Sequence, residues 1–279
     1  MLRFSKSASG FVRILSFSFF LTLVLTLSFA ASIQAQCILP PSGMVSWWPG
    51  DGSSNDIMGT NNGTLVNGAT FAAGMAGQSF SFDGGDDYLQ VGARPELVMT
   101  NTLTVDAWIY PTGTGSMPYG GIIVNKEGEY EIGRYPDGSI QWAFANAVPG
   151  WIWINTGYIA PQDQWTHIAL VYDAGVIRTY ANGALVHTYA GSGSIGDVQP
   201  IENDFRIGGR QDGIQYFSGL IDEVEIFNRA LSAAEIQSIY SAGSDGKCRS
   251  VPGLLNAVLY TQPEPICGVP GASSSICKK

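Results

Sequence analysis

Gly219–Ile236 reads GLIDEVEIFNRALSAAEI. Side chains alternate along a strand, so Leu220, Asp222, Val224 and Ile226 share one face, and Ile221, Glu223, Glu225 and Phe227 the other. The period then changes. Ser232 stands as an N-cap, and Glu235, three residues on, completes a capping box, so a strand running into a short helix is predicted. Asp222 is the anomaly, because it puts a carboxylate on an otherwise apolar face. An unpaired buried charge is costly. A bound cation would satisfy it; so would a hydrogen-bond network or a place at the sheet rim.

Upstream of this stretch, short alternating segments follow one another. Met44–Trp48, Ser79–Asp83, Tyr88–Val91, Leu103–Tyr110, Gly121–Asn125, Glu129–Arg134 and Ser139–Ala145 read as strands. Trp151–Asn155, Gln164–Asp173, Val176–Ala181, Ala184–Tyr189 and Phe205–Gly208 continue the series. Gly84–Asp87 is expected to close a hairpin between its flanking strands, and Asn182-Gly183 another. With 35 glycines, only 13% charged residues and almost no helical periodicity, the chain is expected to fold as an all-β, two-sheet antiparallel sandwich.

The chain opens with Arg3, Lys6 and Arg13 around and before an apolar run, Ile14–Ala31. This is the form of a signal peptide, expected to be cleaved after Ala35. The run approaches spanning length, so a retained anchor is the alternative; the small residues Ala30, Ala31, Ser32 and Ala35 favour cleavage. Three parts are expected: residues 1–35 as signal, 36–248 as the domain, and 249–279 as a linker or disulfide-tied tail. Without its signal the chain carries 11 basic against 23 acidic residues. That balance disfavours nucleic acid and anionic membrane surfaces, and suits divalent cations or neutral ligands. The 4 cysteines of an exported chain should pair. Of the three pairings available, Cys37–Cys248, joining the ends of the domain, with Cys267–Cys277 in the tail is preferred.

The order of motifs resembles the laminin G-like branch of the concanavalin A-like lectin/glucanase jelly rolls. The resembling pieces are SFDGGDDYLQV (Ser81–Val91), LTVDAWIYP (Leu103–Pro111), WTHIALVYD (Trp165–Asp173), YANG (Tyr180–Gly183) and FSGLIDEVEIFNRALSAAEI (Phe217–Ile236). VSWWPGDGSSNDIMGTNNGTL (Val45–Leu65) is similar to the family's opening strand and loop. The resemblance implies a jelly roll with its ends close together, which supports the Cys37–Cys248 pair. It also implies a structural calcium at one rim, between the early acidic loop and the last strand. Carried onto this chain, its ligands are Asp51 and Asp222, with Glu223 facing away.

No catalytic residue is assigned. Glu127, Glu129 and Glu131 in KEGEYEIG would share one face of a regular strand, which invites comparison with the carboxylate pairs of retaining glycosidases. Gly128 interrupts that strand, and a solvated strand face accounts for the three. His167 and His187 lack the companions of a Ser-His-Asp site. The candidate ligand-binding residues are Trp151 and Trp153, on one face of the expected strand with Trp142 on a preceding one, since flat aromatic rings stack on sugars as well as fill cores. Trp108 and Trp165 fall in the core motifs.

The expected function is a secreted or cell-surface, non-catalytic recognition module with a structural calcium. Its partners would be an extracellular glycan or protein, with no nucleic acid and no membrane insertion once the signal is removed. The alternatives are a glycoside hydrolase or lyase using Glu127 and Glu131, and a structural, adhesive spacer.

Overall fold

A computed structural model describes residues 37–211 and 213–249. The expected signal segment, the tail beyond Arg249 and the Cys267–Cys277 pair lie outside the described residues. The strands are β1 (Met44–Trp48), β2 (Thr64–Val66), β3 (Thr70–Ala73), β4 (Gln78–Asp83), β5 (Tyr88–Gly92), β6 (Thr102–Pro111), β7 (Gly121–Lys126) and β8 (Tyr130–Arg134). They continue as β9 (Ser139–Phe144), β10 (Ile154–Ile159), β11 (Thr166–Asp173), β12 (Val176–Ala181), β13 (Ala184–Ala190), β14 (Phe205–Ile207) and β15 (Ser218–Phe227), followed by helix α1 (Ala233–Ala242).

They form two antiparallel sheets. An eight-stranded sheet runs β13-β12-β11-β6-β15-β4-β3, with β1 also on β15; a seven-stranded sheet runs β10-β9-β8-β7-β14-β5-β2. The core lies between them. Trp48 of the first sheet stacks on Phe205 of the second at 5.1 Å, and Tyr172 meets Phe144 at 4.8 Å. The Asn182-Gly183 hairpin is present, joining β12 to β13. The hairpin expected at Gly84–Asp87 is not: β4 belongs to the eight-stranded sheet and β5 to the seven-stranded one. That turn is a crossing between sheets. Alternation cannot distinguish the two, because a strand that changes sheet presents the same period.

β15 departs from regular alternation. Asp222 pairs with Trp108 and Glu225 with Asp106, so three steps on β15 face two on β6. Glu223, at φ 53°, is the extra residue of a β-bulge. The bulge reverses the phase: Ile221 before it and Val224 and Ile226 after it all enter the core. Asp222 therefore does not share a face with Val224 and Ile226. It lies on the outward side, and the side chain of Glu223 also reaches outward partners rather than facing away.

That outward face is covered twice. α1 lays Ile236 and Ile239 over Ala169, Val171, Tyr180 and Phe227. Its capping box is present, with Ser232 Oγ accepting the Glu235 N–H and the Glu235 carboxylate accepting the Ser232 N–H. Beyond it, residues 243–249 cross the sheet as a strap. Ile38 and Lys247 form a parallel bridge, and Cys37 is bonded to Cys248. Closing a loop of this length is worth about 5 kcal/mol in the chain-entropy account. The strap carries Lys247, buried with Nζ 2.6 Å from Glu225 and 3.3 Å from Glu223. Burial opposes its charge, but Glu225, Glu223 and Asp106 outweigh that and raise its pKa. Lys247, near the end of the expected domain, thus neutralises the centre of this face.

Replacing Lys247 with Met should lower the unfolding free energy by about 3–5 kcal/mol, because buried carboxylates would lose their cation. Urea denaturation measures it. A loss below about 1 kcal/mol, the scale of a surface pair, would mean that the strap is not a structural part of the domain.

Candidate functional site

The two residues expected to hold calcium both meet the β3–β4 loop. Asp222 is fully buried. Its Oδ2 accepts the Ala76 N–H at 3.0 Å, while its Oδ1 has no hydrogen-bond partner. Burial, chiefly, pushes its pKa up to about 8, against the Ala76 hydrogen bond. Gly74 packs closely against it: a Cβ there would stand 2.6 Å from Asp222 Oδ2 and 2.8 Å from the Gln78 carbonyl oxygen, so a side chain at this position would clash. A buried carboxylate oxygen without a partner is the kind of donor that a hard cation prefers, so the Asp222 end fits calcium. Asp51 is engaged otherwise. Its Oδ1 accepts the Gln78 N–H at 2.6 Å, and its Oδ2 pairs with Arg249, which also reaches Glu223 at 2.8 Å. Asp51 thus binds the same loop but already has a cation of its own.

Asp56, in the early loop, is a turn organiser. It accepts the backbone N–H groups of Trp47, Met58 and Asn61. Asp83, Asp86 and Asp87 bring their oxygens within 4.8 Å of one another. Asp87 spends its oxygens on the Gly68 and Asp83 N–H groups, at 2.6 and 3.0 Å, which secures the crossing between sheets.

The second candidate surface is the outward face of the seven-stranded sheet. Glu127, Glu129 and Glu131 do not form a solvated strand face. Glu127 lies in the turn between β7 and β8, and all three are buried. Glu129 pairs with Lys126 at 2.7 Å. Glu127 and Glu131 converge on Arg210, at 2.8 and 3.0 Å, and the Asn125 amide donates to both. Burial first, and then the Glu127 charge, drive the Glu131 pKa well up, against the pull of Arg210. Solvation was the wrong expectation because the loop from Gly208 to Phe217, which carries Arg210, folds over this face. No spacing within KEGEYEIG signals a cation 79 residues away.

The tryptophans also move. β10 begins at Ile154, so Trp151 and Trp153 precede the strand and do not share one of its faces. Trp142 is fully buried. Trp153 is half-buried and meets Tyr135 edge-on at 5.9 Å. It lies over Gly133, whose Cβ would stand 3.6 Å from Trp153 Cη2. Trp151 sits apart in a bend. Across the same sheet, Tyr88 and Tyr216 lie 6.3 Å apart, with the Arg206 guanidinium 4.5 Å over Tyr88. Half-buried rings thus flank a polar strip in which Asn125, Glu131 and Gln141 are buried and Arg206 is half-buried. Sequence alternation marks Tyr88 and Gln90 as outward, but the partnership of Tyr135 with Trp153 comes only from the approach of the loop before β10.

A protein-family model described as the concanavalin A-like lectin/glucanases superfamily, of laminin G type, matches residues 83–237. The adhesion G-protein coupled receptor V1 of Danio rerio is 27% identical over 107 residues, which is 37% of this chain and 2% of the receptor. Domain 4 of AbnA, a GH43 extracellular arabinanase from Geobacillus stearothermophilus solved with arabinotriose, is similar in fold. Its TM-score is 0.56 and its identity 21%, over 70% of this chain and 96% of that one. The binding domain of Paraclostridial Mosquitocidal Protein 1 gives 0.56 and 18%, over 71% of this chain and 52% of that one.

A raised carboxylate pKa favours the protonated folded state. The contribution of Asp222 to stability is therefore complete below its ordinary 3.8 and is lost as pH rises through about 8. With divalent cations chelated, stability should fall across that range, and Asp222→Asn should flatten the fall. Thermal melts of both proteins across the range measure it; parallel slopes would remove Asp222 as the source.

Proposed function

Because the chain belongs to the concanavalin A-like lectin/glucanase superfamily, in its laminin G-like branch, we propose that it is a secreted or cell-surface, non-catalytic recognition module. It binds carbohydrate on the outward face of the seven-stranded sheet and carries a structural calcium at Asp222. One observation above all supports the site: half-buried rings, Tyr135 with Trp153 and Tyr88 with Tyr216, bracket a strip of amides and charges on one sheet face. Rings stack on the apolar faces of sugars, and the half-buried Arg206 beside Tyr88 offers a donor to hydroxyls. An arabinotriose complex of a domain with the same fold supports the ligand class. The Cys37–Cys248 disulfide accords with an oxidising, extracellular setting. Among the described residues no helix is long and apolar enough to cross a membrane.

The hydrolase alternative meets a specific obstacle. A retaining pair needs about 5–5.5 Å between carboxyls, with the sugar admitted there. Here Glu127 and Glu131 hydrogen-bond to each other, both are held by Asn125 and Arg210, and both are shut from solvent. The arrangement serves to clamp the Gly208–Phe217 loop.

Calcium's part is to neutralise Asp222 and tie the last strand to the β3–β4 loop. Adding calcium should raise the melting temperature and EDTA should lower it; an unchanged melt would dismiss the ion. A glycan array should return carbohydrate ligands, and Trp153→Ala should weaken the best of them by about tenfold, or about 1.4 kcal/mol. An array without hits, or a variant with undiminished affinity, would count against this face. Glu127→Gln should change no sugar-cleaving activity.

A further inference from the structure

The opposite sheet carries a cleft of its own. It opens between α1, the β3–β4 loop and the β12–β13 turn, and is lined by Met75, Trp108, Trp165, Asn182, Tyr240 and Ser241. It is an open cleft of about 370 Å³, at the lower end of the roughly 300–1,000 Å³ of small-ligand sites. Trp108 and Trp165 belong to motifs expected to be core. Trp108 is buried, but Trp165 and Tyr240 are only half-buried.

The walls are held in place by packing. Trp108 and Tyr240 stack at 5.7 Å with 27° between their planes, and Tyr110 braces Trp165 at 5.4 Å. Gly183 lets the turn press on α1, since a Cβ there would lie 2.5 Å from Gln237 Oε1 and 3.0 Å from Tyr240 Cδ1. Two polar groups complete the lining, and the fold uses only the acceptor side of each. Asn182 Oδ1 accepts the His167 N–H at 3.0 Å. Ser241 Oγ accepts from Gln237 Nε2 at 3.0 Å. The Asn182 NH2 and the Ser241 O–H are left as donors, and no Lys, Arg, Asp or Glu lines the cleft.

These features select a ligand class. The rings need a flat apolar face, the two donors need acceptors, and the uncharged lining disfavours net charge. An organic cation supplies no acceptor, and an anion finds no positive partner. A sugar supplies a C–H face and hydroxyl and ring oxygens without charge. We propose that this cleft is a second binding site, for a neutral saccharide, separate from the face of the seven-stranded sheet.

The test is titration of the purified protein with arabinotriose and with neutral gluco- and xylo-oligosaccharides, followed through the tryptophan indole N–H resonances. The Trp165 resonance should shift. Trp165→Ala should weaken that event about tenfold. Ser241→Ala should weaken it about threefold, the worth of one net hydrogen bond. Ser241 is exposed, so that variant keeps the test valid if Trp165→Ala fails to fold. Trp153→Ala should leave the event intact. The proposal is overturned if no probe shifts the Trp165 resonance, or if both cleft variants fold and bind as the parent does. Binding abolished by Trp153→Ala alone would overturn the cleft and keep the other face; binding abolished by Trp165→Ala alone would do the reverse.

Discussion

The single extra residue at Glu223 governs the arrangement of the eight-stranded sheet. Without it, β15 would carry Asp222 into the same face as Val224 and Ile226, and a carboxylate would enter the core. With it, the apolar residues on both sides of the bulge point inward, and Asp222, Glu223 and Glu225 are gathered outward. A non-glycine residue at φ 53° is an unfavourable conformation. It persists because the ladders to β6 on one side and to β1 on the other hold both ends of the bulge.

Gathering acids on one face creates a second requirement. Glu223 and Glu225 are buried, and burial raises the pKa of each, against Lys247. The strap meets the requirement. It brings Lys247 over Glu225 and Glu223, and Arg249 beside Glu223 and Asp51. The disulfide and the Ile38–Lys247 bridge hold the strap where the cation is needed. Asp106 and His167, 3.1 Å apart, extend the polar layer toward the rings under α1. Asp222 stays outside this exchange, with one oxygen lacking a hydrogen-bond partner.

The seven-stranded sheet solves the same problem differently. Its buried acids, Glu127 and Glu131, are met by Arg210 from a loop laid over the face. The consequence for function is direct. Carboxylates that resemble a glycosidase pair in sequence are committed to holding a loop, while the rings around them remain half-open. Under the proposed function, recognition would fall to the aromatic groups on this face and in the cleft of the opposite sheet, while the buried charges serve the fold.

Local pattern determined much of this. Period-two alternation and turn residues determined the strands and the sandwich, because these depend on neighbours in the chain. The capping box of α1 is equally local. Motif order determined the family and pointed to Asp222. Three features escaped it because they depend on contacts between distant residues. The bulge is visible only in the pairing of β15 with β6. The crossing at Gly84–Asp87 depends on which sheet offers the next strand a free edge. The fate of each buried acid depends on a cation far along the chain: Lys247 for Glu225, Arg210 for Glu131. The sequence by itself determined which segments are strands and which side chains carry charge or rings; tertiary structure alone decided which of those charges are neutralised and which rings stay open, because burial and pairing are properties of the packed sheets.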